Sequence, residues 1–379
     1  MQNTQPNTTN NFLQNLTIIN NTDTRQQGKI KHQLNHIVAL ALFATIGNAN
    51  NFVEIQHFAE EHQQTLQTLI PLKNGIPSHD TIQRAFTIID KKYFDNLLHD
   101  FNEMLNNNEG EKIRKLFSID GKTQNGTQTK DQKPNHIVSI INEHGFCIGG
   151  KLVGEKTNEI TAIPVLLNSF NIKDSIITMD AMGTQRAIAA LIRKRGAHYV
   201  LALKANQGYL YEEVVLFFAD PDFLAKCAYY KTEERARGGV ETREYWQGSG
   251  LGWLPMRGDW MGLRSIVMVR RTTVKEGITS VEVRYFISSL PLGVVEVALA
   301  IRGHWRVESF HWFLDVVFRE DSCRVLDRHV SYNLNVLRKL ALNFLRLLDV
   351  GRVGVVSLRQ RRFIVCCNPV KYLEQILAV

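Results

Sequence analysis

Short apolar runs that alternate with helical patterns are the feature of this sequence that most constrains its fold. Three runs of apolar and β-branched side chains have the length of buried strands, namely residues 116–119, 176–179 and 199–203. Apolar residues recur at helical spacing in the stretches 161–169, 184–195 and 209–218. Strands and helices that alternate in this way pair into a sheet with helices on its faces. The sequence therefore predicts an α/β fold built on a mixed sheet.

The segments around this alternation divide the chain into further regions. Residues 136–142 and 146–153 are typical of a hairpin, which makes the first three strands a meander. Residues 220–289 are rich in β-branched and aromatic side chains, and we predict a β-rich insertion there. The predicted core comprises residues 113–219 and 290–348, and residues 349–379 form a C-terminal tail that ends in another helix.

The N-terminal region is predicted to be helical after a disordered tail. Residues 1–28 are rich in Asn, Gln and Thr without apolar periodicity, which is typical of disorder. Residues 29–107 have helical spacing, and Ser78 is placed to cap a helix that runs through Ile82 and Phe86. Short helices joined by a turn suit either a helix-turn-helix that enters DNA or a helical packing domain, and both interpretations stay open.

Composition and charge narrow the class of protein. The chain has 379 residues, 44% of them hydrophobic, which is enough for a sizeable core, and its five cysteines form no C-x-x-C pair. Its longest uncharged apolar stretch, residues 37–46, is too short to span a bilayer, and the N-terminus lacks a secretory signal, so we expect a cytoplasmic protein without a membrane partner. Residues 1–180 contain 16 Lys and Arg against 18 Asp and Glu, whereas residues 181–379 contain 29 against 19. A basic second half suits a polyanionic partner, although a mosaic gene gives the same asymmetry.

Three carboxylates occupy positions typical of metal-dependent phosphoryl chemistry. Asp120 and Asp180 each close an apolar strand, and Glu308 lies in a later helical stretch. A sheet that brings the two strand ends together beneath that helix makes a cage for divalent ions such as Mg²⁺, which prefer carboxylate oxygens. The spacing alone does not require such a cage, because an Asp at a strand end is more often a turn or helix cap.

The helix around Glu308 has a polar stripe that faces either a site or water. Its members fall within about 60° of one another on a helical wheel: His304, Glu308, His311 and Asp315, with Arg319 at the edge. Trp305 and Trp312 flank the stripe. Core packing is the favoured interpretation for both tryptophans, and stacking on DNA bases is the alternative.

Polar residues also follow the strands that carry the two aspartates. Lys122 comes shortly after Asp120, and Lys204, Asn206 and Gln207 follow the strand 199–203. Sites in open α/β sheets gather outside the carboxyl ends of strands, so these side chains are candidates for phosphate contacts. Exposed loop positions account for them equally well.

Several long motifs in a fixed order carry a resemblance to a known family. They are Gly-Ile-Pro-Ser-His-Asp-Thr at 75–81, Ser-Ile-Asp-Gly-Lys-Thr at 118–123, Lys-Thr-Asn-Glu-Ile-Thr-Ala-Ile-Pro at 156–164, Thr-Met-Asp-Ala-Met-Gly-Thr-Gln at 178–185, Tyr-Val-Leu-Ala-Leu-Lys-Ala-Asn-Gln at 199–207 and Arg-Gly-His-Trp-Arg-Val-Glu at 302–308. Nearly the whole chain after the tail resembles the ISAs-type insertion-sequence transposases, also called H-repeat-associated proteins, a branch of the DDE transposases.

The resemblance implies a ribonuclease-H-like core with Asp120, Asp180 and Glu308 as a metal-binding catalytic triad. It implies cleavage of DNA at the ends of an insertion sequence and transfer of the freed strand into target DNA, with Mg²⁺ or, as a substitute, Mn²⁺. It further implies a bacterial protein that acts on chromosomal or plasmid DNA as a homodimer. The residues that we predict to contact DNA are Lys122, Lys204, Asn206, Gln207, His304, Arg306 and Arg319.

Some positions differ from the motifs of the wider family, which often has Tyr-x-x-Arg-x-x-x-Glu around its glutamate. Ile301 and His304 occupy the Tyr and Arg places, Ser309 stands where Asn is usual, and residues 237–243 are a worn His-Gly-Arg-x-Glu-x-Arg. A catalytically impaired DNA-binding relic or repressor is therefore an alternative to an active transposase. A zinc-dependent hydrolase is a weaker alternative, because His304, Glu308 and His311 have helical ligand spacing but the H-E-x-x-H arrangement is absent.

Overall fold

A nine-stranded mixed sheet runs through the part of the chain that the computed structural model describes, which is residues 16–106, 114–236, 239–352 and 354–377. The strands are β1 (Leu116–Gln124), β2 (Asn135–Ile141), β3 (Cys147–Leu152), β4 (Ile176–Met179), β5 (His198–Leu203), β6 (Ala228–Ala236), β7 (Gly239–Gly248), β8 (Ser265–Lys275) and β9 (Ile278–Ser288). Their order across the sheet is β3-β2-β1-β4-β5-β9-β8-β7-β6.

The first five strands have the order and directions of a ribonuclease-H-like sheet. β1, β2 and β3 pair antiparallel as the predicted meander, and β4 and β5 add in parallel beside β1. All four residues of β4 are buried, because helices cover both faces of this central parallel strand. The predicted α/β fold with a mixed sheet is confirmed.

The strands of the predicted β-rich insertion extend this same sheet. β9 pairs antiparallel with β5, and β8, β7 and β6 follow outward as long antiparallel strands. The two innermost of these strands, β9 and β8, pair with each other over their whole length. Residues 220–289 form no separate layer, since their backbone hydrogen bonds join them to the core.

Thirteen α-helices occur within the described residues. They are α1 (Leu34–Ile46), α2 (Phe52–Glu61), α3 (Gln63–Leu69), α4 (His79–Ile88), α5 (Lys91–Asn106), α6 (Glu159–Asn168), α7 (Arg186–Lys194), α8 (Tyr209–Ala219), α9 (Pro221–Leu224), α10 (Val294–Val316), α11 (Arg328–Leu347), α12 (Leu358–Cys367) and α13 (Pro369–Leu377). The predicted cap of α4 is present, since the Ser78 side chain accepts from the Thr81 amide.

Helices cover the two faces of the sheet because successive strand side chains point to opposite sides. Leu116 of β1 packs in one apolar cluster with Ile301 of α10, whereas Phe117 packs in another with Ile163 of α6. A Cβ at Gly303 would overlap the Leu116 side chain. Glycine at this position therefore lets α10 lie directly against β1.

The N-terminal helices α1 to α5 share one apolar core with α11, α12 and α13. Arg362 of α12 is buried in it and donates to the carbonyls of Thr45 at 2.7 Å and Ala49 at 3.0 Å. Leu16 and Ile19 are also buried there, so the disorder predicted for residues 1–28 is wrong for these two positions, whose apolar side chains pack although their neighbours are polar. Residues 1–15 lie outside the described residues.

Candidate metal centre and nucleic-acid interface

Asp120 and Asp180 come together because their strands are parallel neighbours. Ile119 of β1 is level with Met179 of β4, so the next residue of each strand lies at the same edge of the pairing. The prediction that β1 ends at Asp120 is wrong, since the strand continues to Gln124 through its pairing with β2. What ends at this point is the parallel pairing with β4, which leaves room for a site.

The backbone after β4 holds Asp180 in a fixed orientation. Its Oδ1 accepts hydrogen bonds from the amides of Met182 at 3.0 Å and Gly183 at 3.1 Å. Asn206 donates to the carbonyl of Ala181 at 2.8 Å, and Gln207 donates to that of Thr184 at 2.6 Å. The side-chain amides of Asn206 and Gln207 thus stabilise the loop that carries the Asp180 carboxylate. Their contact with DNA stays a prediction.

A third carboxylate, Glu159, joins the two aspartates. Ligand oxygens of Asp120, Glu159 and Asp180 all lie within 4.8 Å of one another, and within the described ranges this is the group suited to a metal ion. Glu159 is buried in the first turn of α6. Sequence reasoning missed it, because an acid in the first turn of a helix is common for helix-dipole reasons and carries no mark of a site.

The polar stripe of α10 faces the sheet. His304 Nδ1 lies 3.0 Å from Thr178 Oγ1, and His311 Nδ1 lies 3.5 Å from Asp120 Oδ2. Glu308 stands between the two histidines on this face, outside the compact group of three carboxylates. It shares the wall of a cavity with Asp180.

Burial and mutual repulsion act on these carboxylates. Burial raises the pKa of Asp180, and the negative charges of Asp120 and Glu159 raise it further, against hydrogen bonds from two backbone amides. Burial also raises the pKa of Glu308, and Asp120 adds to the rise while Arg284 opposes it. Clustered carboxylates that repel one another are stabilised by a bound cation. Oxygen ligands at this separation fit a hard divalent ion.

The surroundings of His304 disfavour a protonated ring. Burial lowers its pKa to about 4, although the charge of Asp120 favours the protonated ring. A ring in which burial disfavours a charge, and which lies beside Thr178, is not equivalent to the arginine usual at this place in the motif. A contact between His304 and DNA therefore stays a prediction.

Lys122, predicted to meet phosphate, is held by the fold. Its Nζ lies 2.8 Å from Asp315, 3.0 Å from Glu320 and 3.3 Å from Asp321. Burial alone would raise the pKa of Glu320, but the charges of Lys122 and Arg338 outweigh it and hold that pKa at about 2. In the free protein this ammonium ties β1 to the end of α10 and the segment after it, and its contact with DNA stays a prediction.

A cavity of about 320 Å³ opens beside Asp180 and Glu308, and its wall is rich in cations. The cationic side chains that line it are Lys204, Arg243, Arg271, Arg284 and Arg302. The Arg284 guanidinium lies 4.8 Å from the ring centre of Trp305, a cation–π contact. The worn motif at residues 237–243 was the signal for Arg243, whereas nothing in the spacing marked the other three arginines.

The other predicted DNA contacts lie elsewhere on α10 and after it. Arg306 is two residues from Glu308, a rotation of about 200°, and so projects from the opposite side of the helix. Arg319 is exposed beyond the helix end, with φ at 49°. Trp312 is 54% exposed, which overturns the favoured interpretation of core packing, because its position on α10 turns the ring away from the sheet.

Comparison with known families places the chain. The model of the transposase DDE domain matches residues 111–344, and a DDE_Tnp_1-associated model matches residues 16–102. The first match covers the sheet, both aspartates and Glu308. The chain therefore belongs to the DDE transposase family.

Relatives extend this similarity over nearly the full length. "Putative transposase YncI" of Escherichia coli O157:H7 is 35% identical over 94% of this chain and 92% of its own. "H repeat-associated putative transposase YhhI" of Escherichia coli strain K12 is 33% identical over 94% of this chain and 95% of its own. Another relative from Escherichia coli strain K12, "Inactive transposase YbfQ", is 40% identical over 17% of this chain and 75% of its own. Among the described residues, no helix has the length and apolarity needed to span a membrane.

Proposed function

We propose that this protein is a DNA transposase that cleaves a phosphodiester at the ends of an insertion sequence and joins the freed 3′ end to target DNA. The observation that carries this proposal is the meeting of Asp120 and Asp180 at the edge of two parallel strands, in a chain of this family. Glu308 completes the proposed triad from the helix above the sheet. A dimer that pairs two DNA ends is part of the proposal.

Asp120, Asp180 and Glu308 would hold the divalent metal, which we propose to be Mg²⁺, with Mn²⁺ as a substitute. When bound, such ions polarise a phosphate oxygen and lower the pKa of water. The protein's own part is to fix the ligands. The Met182 and Gly183 amides orient Asp180, and α10 carries Glu308 against the sheet.

The cavity wall carries cationic side chains that could bind the phosphates of the DNA backbone. Arg243, Arg271, Arg284 and Arg302 line the same cavity as Asp180 and Glu308 and form a cationic surface that suits phosphates flanking the scissile one. Their guanidinium groups are already ordered by ion pairs with glutamates, such as Arg284 with Glu282 at 2.7 Å. Ordered cations lose less entropy when a strand binds, because their side chains are positioned beforehand.

The direct experiment incubates the purified protein with DNA that carries both flanks of its own gene. We expect nicks at defined positions with Mg²⁺ or Mn²⁺ and none after chelation. Salt-sensitive binding of the same DNA without nicks under either metal would overturn the transposase proposal and support the impaired relic or repressor. The departures at Ile301 and His304 support that alternative, and one relative is called an inactive transposase.

Metal analysis of the purified protein distinguishes a zinc-dependent hydrolase from the proposed magnesium-dependent transposase. In the described part of the chain the compact group consists of three carboxylates and includes neither His304 nor His311. We therefore expect no stoichiometric zinc. Tightly retained zinc together with loss of activity on its removal would contradict the proposed magnesium centre.

A further inference from the structure

Resting on the proposed function, we propose that Glu159 is a fourth carboxylate of the metal centre and binds the ion together with Asp120 and Asp180. Its carboxylate is buried, and its ligand oxygen lies within 4.8 Å of those of both aspartates. Glu159 reaches the site from α6, on the face of the sheet opposite α10. The centre is thus built from both layers of helices that cover the sheet.

His136 is the positioning residue for this carboxylate. Its Nε2 lies 2.6 Å from Glu159 Oε1, and its Nδ1 lies 2.8 Å from Thr123 Oγ1. With both ring nitrogens engaged, the imidazole cannot rotate without losing a hydrogen bond. A carboxylate has two oxygens, so one can bond to His136 while the other faces a cation. Such partners of metal ligands fix the orientation of the ligand.

Gly121 gives the space that this arrangement needs. It follows Asp120 in β1 and pairs with Val138, so its backbone is that of an ordinary strand. A Cβ at this position would overlap both the Glu159 carboxylate and the His136 ring. A glycine directly after the aspartate therefore admits Glu159 to the edge of the site.

A purely structural role for Glu159 accounts less well for the surroundings. The pair with His136 by itself would stabilise the start of α6. The two aspartates add repulsion, because their ligand oxygens lie within 4.8 Å of that of Glu159. Partly buried like charges are costly unless a cation is shared among them. A bound cation would offset the repulsion among the three carboxylates and so stabilise the folded protein.

The test measures Mn²⁺ binding by calorimetry in the absence of DNA, together with thermal unfolding with and without Mn²⁺. Glu159→Gln keeps a hydrogen-bond acceptor for His136 but removes the charge. We expect it to weaken Mn²⁺ binding by at least about tenfold, since even partners of ligands contribute that much. We expect an unchanged or higher Tm without metal and a smaller rise in Tm when Mn²⁺ is added.

Two further variants and a control sharpen the result. Gly121→Ala should weaken Mn²⁺ binding although all three carboxylates of the cluster are unchanged, because it displaces Glu159. His136→Ala should weaken it by about 10- to 100-fold, the range for a lost partner of a ligand. Glu155→Gln, whose side chain is 66% exposed near the same helix, should bind Mn²⁺ as the wild type does.

Wild-type Mn²⁺ affinity in Glu159→Gln, with a lower Tm in the absence of metal, would overturn the ligand assignment and leave a structural role. If Gln prevents folding, Glu159→Asp keeps the charge but shortens the reach, and unchanged Mn²⁺ binding by this variant would equally overturn the proposal. Wild-type protein that binds Mn²⁺ yet never nicks DNA would contradict the proposed transposase activity alone, because calorimetry tests Glu159 without DNA.

Discussion

Lys122 shows how the partners of one side chain decide between two interpretations of its motif. Its position after Asp120 predicts a phosphate contact, yet its ammonium is surrounded by Asp315, Glu320 and Asp321. Glu320 is fully buried, and removal of Lys122 leaves it with the more distant Arg338, at 3.7 Å, as a cationic partner. Residue type and spacing cannot reveal this, because the three acids come from a segment about 200 positions away in the chain.

Substitution of Lys122 by Met is expected to destabilise the fold. The loss of the ammonium beside Glu320 should lower the free energy of unfolding by about 3 kcal/mol or more. Urea denaturation at neutral pH measures this. Lys133→Met, at an exposed loop position, is the matched control and should stay within about 0.5 kcal/mol of the wild type.

The contacts of Lys122 with Glu320 also make the stability of the protein depend on pH. The pKa of Glu320 is held at about 2, below the 4.5 of an unperturbed glutamate. A lowered pKa contributes stability that is present above the unfolded value and is lost as the pH falls toward the folded one. Wild-type stability should therefore fall below about pH 4.5 more steeply than that of Lys122→Met. Equal stabilities and equal pH slopes for the two proteins would show that Lys122 has no structural role.

At the scale of elements, α10 depends on a close contact with β1. Gly303 admits the Leu116 side chain, and the helix then carries His304, Glu308 and His311 over the two aspartates. By helix propensity alone, Gly303→Ala should stabilise α10 by about 1 kcal/mol. The added methyl group overlaps Leu116, however, and this overpacking should lower the free energy of unfolding by about 1 to 3 kcal/mol. We expect DNA nicking to fall more than the folded fraction, since the helix must shift.

Leu116→Ala supplies the space that Gly303→Ala removes. The double variant should therefore recover stability relative to the sum of the two single changes, as a double-mutant cycle in urea would show. Strict additivity would mean that the two residues are not in the close contact described above.

The elements also show what sequence alone can predict. Apart from Ser118 and Thr178, the runs 116–119 and 176–179 are apolar, which is typical of buried strands and places Asp120 and Asp180 directly after them. The continuation of β1 to Gln124 and the pairing of β9 with β5 depend on backbone hydrogen bonds, which leave no mark in the residue types. Glu159 escaped prediction for a related reason, because its approach to Asp120 depends on the packing of α6.

At the scale of the whole molecule, the structure shows where some of the basic residues of the second half lie. Four of its arginines line the cavity beside Asp180 and Glu308, on β7, β8, β9 and α10. This placement suits a functional cause for the asymmetry. The mosaic-gene alternative concerns the gene and stays open to a comparison of base composition between its halves.

Removal of one arginine from the cavity wall should weaken DNA binding in a salt-dependent way. Arg284→Gln is expected to reduce affinity for many sequences alike and to lower the slope of log affinity against log salt by about 1. Fluorescence anisotropy over a salt series measures this. Arg306→Gln, on the opposite side of α10, tests the sequence-based prediction for that residue under the same conditions. An unchanged slope in Arg284→Gln would exclude the cavity wall from the interface.

The central claim is that Asp120, Asp180 and Glu308 form a metal centre that cuts DNA. Single-turnover nicking of DNA from the ends of the element, with Mg²⁺, tests it most directly. Asp180→Asn should lose about 100-fold or more in rate, since even partners of metal ligands are worth 10- to 100-fold, while DNA binding persists. Glu296→Gln, on the exposed start of the same α10, should nick at the wild-type rate. Wild-type nicking by Asp180→Asn would contradict the account.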